Sequence, residues 1–291
     1  MEGLTCQVIT VDLFLNCGYY APQFTIKKIT NLIISMGEKV VQFEKRESVG
    51  IITLNRPDKK NAITAQTAVE LKEIKNEVGW DSGIRVVLLT GKDEYFSVGT
   101  ETEAHSSFQT RQEFINNLSV ASIIGSLTQP VIAAINGNAF GQGLELALAC
   151  DLRISSKDAL FAMPQIKGNE IPFDGGTQRL PRLVGRTKAL EMIFQGLTLD
   201  AEEAQRIGLV NSIVPTDELM PTALKLAEDL ASKGPIALRH AKEAIIKGMD
   251  MTLEQGLRLE ADLYFLIHTT KDRTEGITAF KEKREPRFEG E

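Results

Sequence analysis

Apolar positions along most of this chain recur with one of two periods, and the alternation of those periods predicts its elements. Val40–Glu44 and Gly50–Asn55 read as paired strands around a polar turn at Lys45–Ser48, and Arg56-Pro57-Asp58 breaks the chain after them. Thr64 then reads as an N-cap, with Ala68, Leu71, Ile74 and Val78 at helical spacing up to Trp80. A buried strand is predicted at Arg85–Thr90, a short extended piece at Tyr95–Val98, a polar helix over Phe114–Ile124 and a strand at Val131–Ile135. After Asp151 the pattern repeats, with strands at Leu152–Ser155 and Ala159–Phe161 and helices from Gly176 to Phe194. Strands alternating with helices predict an α/β core with right-handed crossovers.

Beyond Gly196 the pattern turns helical, with helices predicted at Asp200–Ile207, Asp217–Ser232, Pro235–Gly248, Leu253–Thr269 and Arg273–Lys283. Only Val210–Val214 reads as extended. Asp200 and Glu203 form a capping box, and Leu257, Ala261, Leu263, Tyr264 and Ile267 make an apolar stripe suited to core or subunit contact. Residues 1–35 hold no sustained period. The expected organisation is an N-terminal extension over 1–38, poorly ordered, a core over 39–196 and a helical C-terminal region over 197–291.

Composition narrows the function classes. The 291 residues are 43% hydrophobic and 25% charged, which fits a globular protein with a large core and excludes disorder as a description of the whole. A formal net charge of -6 argues against a dedicated nucleic-acid or anionic-membrane binder, so a polyanionic ligand must be met by a few placed cations. No apolar run approaches the roughly 18 residues of a membrane span, and the acidic start lacks the positive flank of a secretory signal. Cys6, Cys17 and Cys150 are widely spaced and odd in number, which predicts neither a disulfide framework nor a metal cluster and favours a reducing, cytoplasmic setting.

The run from Pro130 to Asp151 carries the clearest chemistry. A buried strand passes through Asn136-Gly137 and Gly141-Gln142-Gly143 into a helix whose first turn holds Glu145 among apolar residues. Free N–H groups at a helix start favour charge developing on a ligand oxygen, and an apolar setting moves a carboxyl's proton affinity toward neutral pH. Phe96-Ser97-Val98-Gly99-Thr100 is a second strand end that turns on a glycine. Its Thr100 N–H and the N–H near Gln142 would form an oxyanion hole if they converge; otherwise both are tight turns without a shared ligand.

Other chemistries are poorly supported. The glycines after Gly137 fit neither the dinucleotide fingerprint nor the P-loop, and no G-x-S-x-G is present. His105 lies in a polar loop where it is either pocket lining or solvated, and His240 and His268 fall in the helical region; no histidine–carboxylate spacing suggests a metal. In the loop from Phe161 to Arg182, Gln165 is expected to face inward. Asp174 is either the cap of the helix begun by Gly175-Gly176 or a catalytic group, and Glu170 an exposed acid.

Several motifs then agree in order and spacing: Asn55-Arg56-Pro57 with Asn61-Ala62, Phe96-Ser97-Val98-Gly99, Asn136-Gly137 with Gly141 to Asp151, Ile171-Pro172 with Gly175 to Gly185, Ala204 with Gly208-Leu209-Val210, and Glu275 to Phe280. Over residues 39–288 the chain resembles the enoyl-CoA hydratase/isomerase (crotonase) family. That resemblance implies a crotonase-like α/β spiral of ββα units, a helical C-terminal trimerisation region, a homotrimer or dimer of trimers, and an acyl-CoA thioester as ligand. It implies no permanently bound cofactor, coenzyme A entering as part of the substrate.

Carried onto this sequence, the oxyanion hole is the N–H groups of Thr100 and Gln142, the latter at a position that is glycine in many relatives. Coenzyme A runs along Lys59, Lys60 and Ala62 and meets Lys283 at its phosphates. Glu145 matches one of two glutamates that activate water and move a proton, and Gln165 stands where the second is expected. A carboxamide holds water by hydrogen bonds but has no useful basicity. Phe173-Asp174 replaces the common Gly-Ala, placing a ring at the pocket wall and a new carboxylate beside it, so Asp174 becomes the candidate second acid or base. The expected activity is hydration of an enoyl-CoA or migration of its double bond through Glu145. The alternatives are hydrolysis, decarboxylation or ring chemistry of a CoA ester with another base, and a non-catalytic CoA-thioester binding protein.

Overall fold

In the computed structural model, residues 39–101, 108 and 110–291 are described. The predicted N-terminal extension lies outside them, as do Cys6, Cys17 and His105. Contacts set residues 40–291 apart as one compact unit, which holds every element below.

The first strands form a hairpin, β1 (Val41–Arg46) and β2 (Val49–Leu54), joined by a turn of two residues. With β3 (Val86–Gly91), β5 (Val131–Ile135), β7 (Leu152–Ser156) and β10 (Ser212–Val214) they make a six-stranded sheet in the order β1-β2-β3-β5-β7-β10, parallel after the hairpin. Its inner strands β2, β3 and β5 read as nearly continuous apolar runs because both of their faces are covered. Val87, Leu89, Val131, Ala133 and Ile135 face one core, shared with Ala68, Leu71 and Val78 of helix α1 (Ala65–Trp80). Val86, Leu88, Ile132 and Ala134 face the other. Thr64 caps α1 as its sequence predicts, accepting from the Thr67 N–H.

The polar helix predicted over Phe114–Ile124 is two helices, α2 (Arg111–Leu118) and α3 (Ala121–Gly125). They part because the Ser119 hydroxyl and the N–H groups of Val120 and Ala121 turn to a carboxylate from a distant loop, that of Asp174. The helical stretch from Gly176 likewise divides at Gly185 (φ 80°) into α5 (Gly176–Val184) and α6 (Arg186–Gln195).

A second, four-stranded sheet positions the site. Its order is β4 (Tyr95–Ser97), β6 (Asn138–Phe140), β8 (Phe161–Ala162), β9 (Thr198–Leu199), and the first three run parallel. Each of those three ends in a segment singled out above: β4 in Gly99-Thr100, β6 in Gly141-Gln142, and β8 in Met163-Pro164-Gln165. Ligands of open α/β sheets bind beyond such carboxyl ends.

The region from residue 197 is not separate from the core at its start. Strands β9 and β10 complete the two sheets on either side of α7 (Ala201–Arg206), and α8 (Leu219–Ala231) lays Leu219, Ala223, Ala227 and Ala231 on the second face of the larger sheet. Helices α9 (Pro235–Gly248), α10 (Leu253–Ile267) and α11 (Lys271–Glu282) follow. The predicted apolar stripe on α10 splits: Leu263 is buried, whereas Leu257 and Tyr264 are more than half exposed.

Candidate active site

The two glycine turns abut. Ile63 pairs with the strand end beyond β4, its N–H bonding to Gly99 O at 2.8 Å while its carbonyl accepts from the Glu101 N–H at 2.9 Å. In a parallel bridge of this kind the intervening residue points its own N–H away, so that of Thr100 faces from Ile63. Gly99 adopts φ 97°, and a Cβ there would stand 2.9 Å from Phe140 O and 3.2 Å from Gln142 N. Glycine is thus needed both for its backbone angle and for the approach of the second turn. Gly141 (φ 53°) precedes helix α4 (Gln142–Leu148), whose first N–H belongs to Gln142 and has no partner within the helix. The Thr100 hydroxyl joins the turns by donating to Gln142 Oε1 at 2.7 Å.

Glu145 lies one turn into α4 and is fully buried. Its Oε1 accepts from the backbone N–H groups of Asp174 at 2.8 Å and Gly176 at 2.7 Å, which fixes that oxygen. Burial pushes its pKa up to about 7, against the pull of those two N–H groups; the nearby Asp174 charge raises it further and Arg179 lowers it. Its second oxygen faces the Gln165 carboxamide, with Nε2 3.4 Å from Oε2. A carboxyl group poised near neutrality with one oxygen pinned and the other open can both take and return a proton.

Gln165 sits on a short 3₁₀ turn, Pro164–Gly168, and faces Glu145 as its sequence position suggests. Its Oε1 is buried without a protein partner, an acceptor available to a ligand or a water.

Asp174 is placed differently from both readings of the sequence. It does not cap α5, which it precedes and whose start lacks a side-chain cap. Its carboxylate instead caps α3: Oδ1 accepts from Ser119 Oγ at 2.6 Å, and Oδ2 from the N–H groups of Val120 at 2.7 Å and Ala121 at 2.8 Å and from Gln142 Nε2 at 3.0 Å. A carboxylate held by four donors is fixed in place, with both oxygens turned to α3 and Gln142 rather than to Glu145. The Asp174 N–H reaches Glu145, a role the sequence does not reveal. Also unforeseen is Arg179, which donates from Nη1 to the Asp174 carbonyl at 2.9 Å and packs where a Cβ on Gly175 would stand.

The chain has known relatives. The family model for enoyl-CoA hydratase/isomerase matches residues 44–291. The chain belongs to the enoyl-CoA hydratase/isomerase family. It is 37% identical to the crotonyl-CoA hydratase of Syntrophomonas wolfei over 87% of this chain and 99% of that protein. It is 38% identical to the short-chain-enoyl-CoA hydratase of Clostridium acetobutylicum, covering 84% of this chain and 95% of that one. The crystal structure of an enoyl-CoA hydratase from Bacillus anthracis superposes with a TM-score of 0.83 at 40% identity, covering 87% of this chain and all of the other. The expected crotonase fold is therefore the fold of this protein, which is an acyl-CoA-processing enzyme of the lyase and isomerase type.

The remaining expected site residues lie on two segments. Lys59, Lys60 and Ala62 follow β2 on a tight turn, with both lysines exposed, Lys60 Nζ 5.2 Å from the centre of the Tyr95 ring, and the Ala62 carbonyl bonded by Arg56 Nη1 at 3.0 Å. Asn61 anchors that turn by donating to the carbonyls of Lys92 and Tyr95. Lys283 stands exposed at the C-terminal end of α11 in a left-handed conformation (φ 55°). His240 Nδ1 lies 3.3 Å from Leu263 O and His268 packs edge-on against Tyr264, so both belong to helix packing. Cys150 is buried and its thiol is pushed up to about 12 by desolvation, which makes it inert. Among the described residues, no cluster of ligating side chains could hold a metal, and no helix is long and apolar enough to cross a membrane.

Proposed function

We propose that the protein hydrates 2-enoyl-CoA thioesters with Glu145 as its single carboxylate acid–base. The observation that carries this reading is the contact of Gln165 Nε2 with Glu145 Oε2 at 3.4 Å, on a carboxamide whose Oε1 is buried without a protein partner. A water donating to both acceptors would present its lone pair to the substrate's Cβ. The Thr100 and Gln142 N–H groups would bind the thioester oxygen. As the water oxygen bonds to Cβ, its proton passes to Glu145 and the π electrons move through Cα onto the bound oxygen. The enolate then takes the proton back from Glu145 at Cα, which restores the carboxylate and completes the addition of one water. Names of relatives, crotonyl-CoA hydratase and short-chain-enoyl-CoA hydratase, support the same assignment.

Isomerisation is the second reading, favoured by the saturation of Asp174. A single carboxylate suffices to remove a proton from Cα of a 3-enoyl-CoA and return it at Cγ. Incubation with crotonyl-CoA, 3-butenoyl-CoA and malonyl-CoA in H₂¹⁸O, followed by chromatographic separation of the esters and mass detection, separates the readings. Gain of one labelled water supports hydration; conversion of the 3-enoyl to the 2-enoyl ester without uptake of water supports isomerisation. Release of CoA, loss of carbon dioxide from a malonyl-type ester, or no change refutes both.

Lys59, Lys60, Ala62 and Lys283 are proposed to bind coenzyme A, the lysines supplying cations that a net acidic chain must place deliberately. A homotrimer, or a dimer of trimers, is proposed on the strength of the exposed apolar residues Leu253, Leu257, Tyr264 and Phe265 along α10. A cytoplasmic location accords with a buried, unpaired Cys150.

A further inference from the structure

Gln142 holds more than its backbone in the site. The residue is 1% exposed, and its side-chain oxygen and both amide hydrogens are bonded to three separate walls. Oε1 accepts from Thr100 Oγ1 at 2.7 Å, while Nε2 donates both to the Leu118 carbonyl, at the end of α2, and to Asp174 Oδ2 at 3.0 Å. Asp174 in turn pins the start of α3 through its carboxylate and Glu145 through its N–H. One carboxamide therefore bridges the turn carrying the first proposed oxyanion donor, the break between α2 and α3, and the loop that fixes the proton-transfer carboxylate.

We infer that the Gln142 carboxamide is a positioning residue that sets the separation of the Thr100 and Gln142 N–H groups and locks it to the placement of Glu145. No other common side chain of this length supplies one acceptor and two donors on a planar end. Glutamate would set acceptor oxygens against the Leu118 carbonyl and the Asp174 carboxylate; alanine would orphan the Thr100 hydroxyl and the Leu118 carbonyl. Gly99 already brings the two turns to contact, so the strut sets fine spacing rather than gross fold. This inference rests on the reading of the two N–H groups as an oxyanion hole.

The test compares wild type with Gln142→Ala, Thr100→Val and the double variant, by turnover of crotonyl-CoA and by the absorbance of bound cinnamoyl-CoA. The conjugated chromophore of that ester shifts to the red as its carbonyl is polarised. Gln142→Ala should lower kcat by about 10–100-fold, the scale of a misplacement of about 1 Å, with KM and cinnamoyl-CoA affinity within about threefold and a smaller red shift. Thr100→Val, which keeps the backbone N–H, should show the same pattern in weaker form. The double variant should be no worse than Gln142→Ala, because both break one linkage. A wild-type red shift in a folded Gln142→Ala protein, or effects that multiply independently, would overturn the inference. Should Gln142→Ala fail to fold, Thr100→Val decides it by the same two readouts. If the wild type shifts the chromophore but does not turn over enoyl-CoA, the hydratase reading falls and the strut stands; turnover with an unchanged shift in the variants gives the reverse.

Discussion

Asp174 holds Glu145 by its backbone and not by its side chain: the Asp174 N–H donates to Glu145 Oε1 at 2.8 Å, while the Asp174 carboxylate faces away to cap α3. Two acids 29 residues apart in sequence thus divide their work. Asp174 is satisfied by four donors and organises the loop, whereas Glu145, denied solvent, has its carboxyl pushed up to about 7.

The pH dependence of turnover follows from that assignment. Glu145 must be ionised to take the proton from water, so kcat/KM should rise with pH through an apparent pKa of about 7 and level off above it. A profile that is flat across this region, or that rises only near the ordinary carboxylate range, would count against Glu145 as the base.

Stability should run in the opposite sense. The folded protein holds the Glu145 proton up to about pH 7, whereas the unfolded chain releases it near 4.5. The associated stabilisation is present in full below 4.5 and is lost as pH rises through 7, a change of roughly 3 kcal/mol at about 1.4 kcal/mol per pH unit. Urea unfolding of wild type and Glu145→Gln should therefore diverge between pH 5 and pH 8, with the variant losing less stability; parallel curves would show that burial does not shift this group.

Gly99→Ala should cripple the oxyanion turn without emptying the CoA site. Its Cβ would meet Phe140 O and Gln142 N on a backbone at φ 97°, which costs about 1–3 kcal/mol of strain. Loss of one oxyanion donor should lower kcat by roughly 10²–10³-fold. Butyryl-CoA affinity measured by calorimetry should stay within about fivefold; loss of kcat and of binding in equal proportion would argue for general collapse instead.

Gln165→Glu places a second carboxyl beside Glu145 Oε2. Like charges so close titrate in two coupled steps, so the activity profile should split into two apparent pKa values. Addition of water to crotonyl-CoA should become faster, by about 10-fold or more, since the new acid can protonate Cα while Glu145 acts on water. An unchanged rate and an unsplit profile would place residue 165 outside the reacting centre.

Much of this architecture is legible in the residues because it is set locally. Thr64 and the spacing of Ala68, Leu71 and Val78 define α1, and the glycine turns at Gly99 and Gly141 mark the site's two edges. The hidden parts depend on partners far along the chain. Nothing near Ser119 signals that its helix will break, because the carboxylate responsible lies 55 residues away at Asp174. The two-residue strand β9 is invisible as periodicity, and although Val210–Val214 reads as extended, nothing local says that β9 and β10 tie the region after residue 197 to both sheets. Gln165 announces the loss of a carboxylate; that its Oε1 is left without a protein partner emerges only from packing.

The most direct test of the central claim is the turnover of crotonyl-CoA by Glu145→Gln measured beside its binding of butyryl-CoA. The amide preserves the shape of Glu145 but cannot accept a proton, so kcat should fall by roughly 10²–10⁴-fold with butyryl-CoA affinity close to wild type. Turnover at the wild-type rate by the folded variant would contradict the assignment of Glu145 as the group that moves the proton.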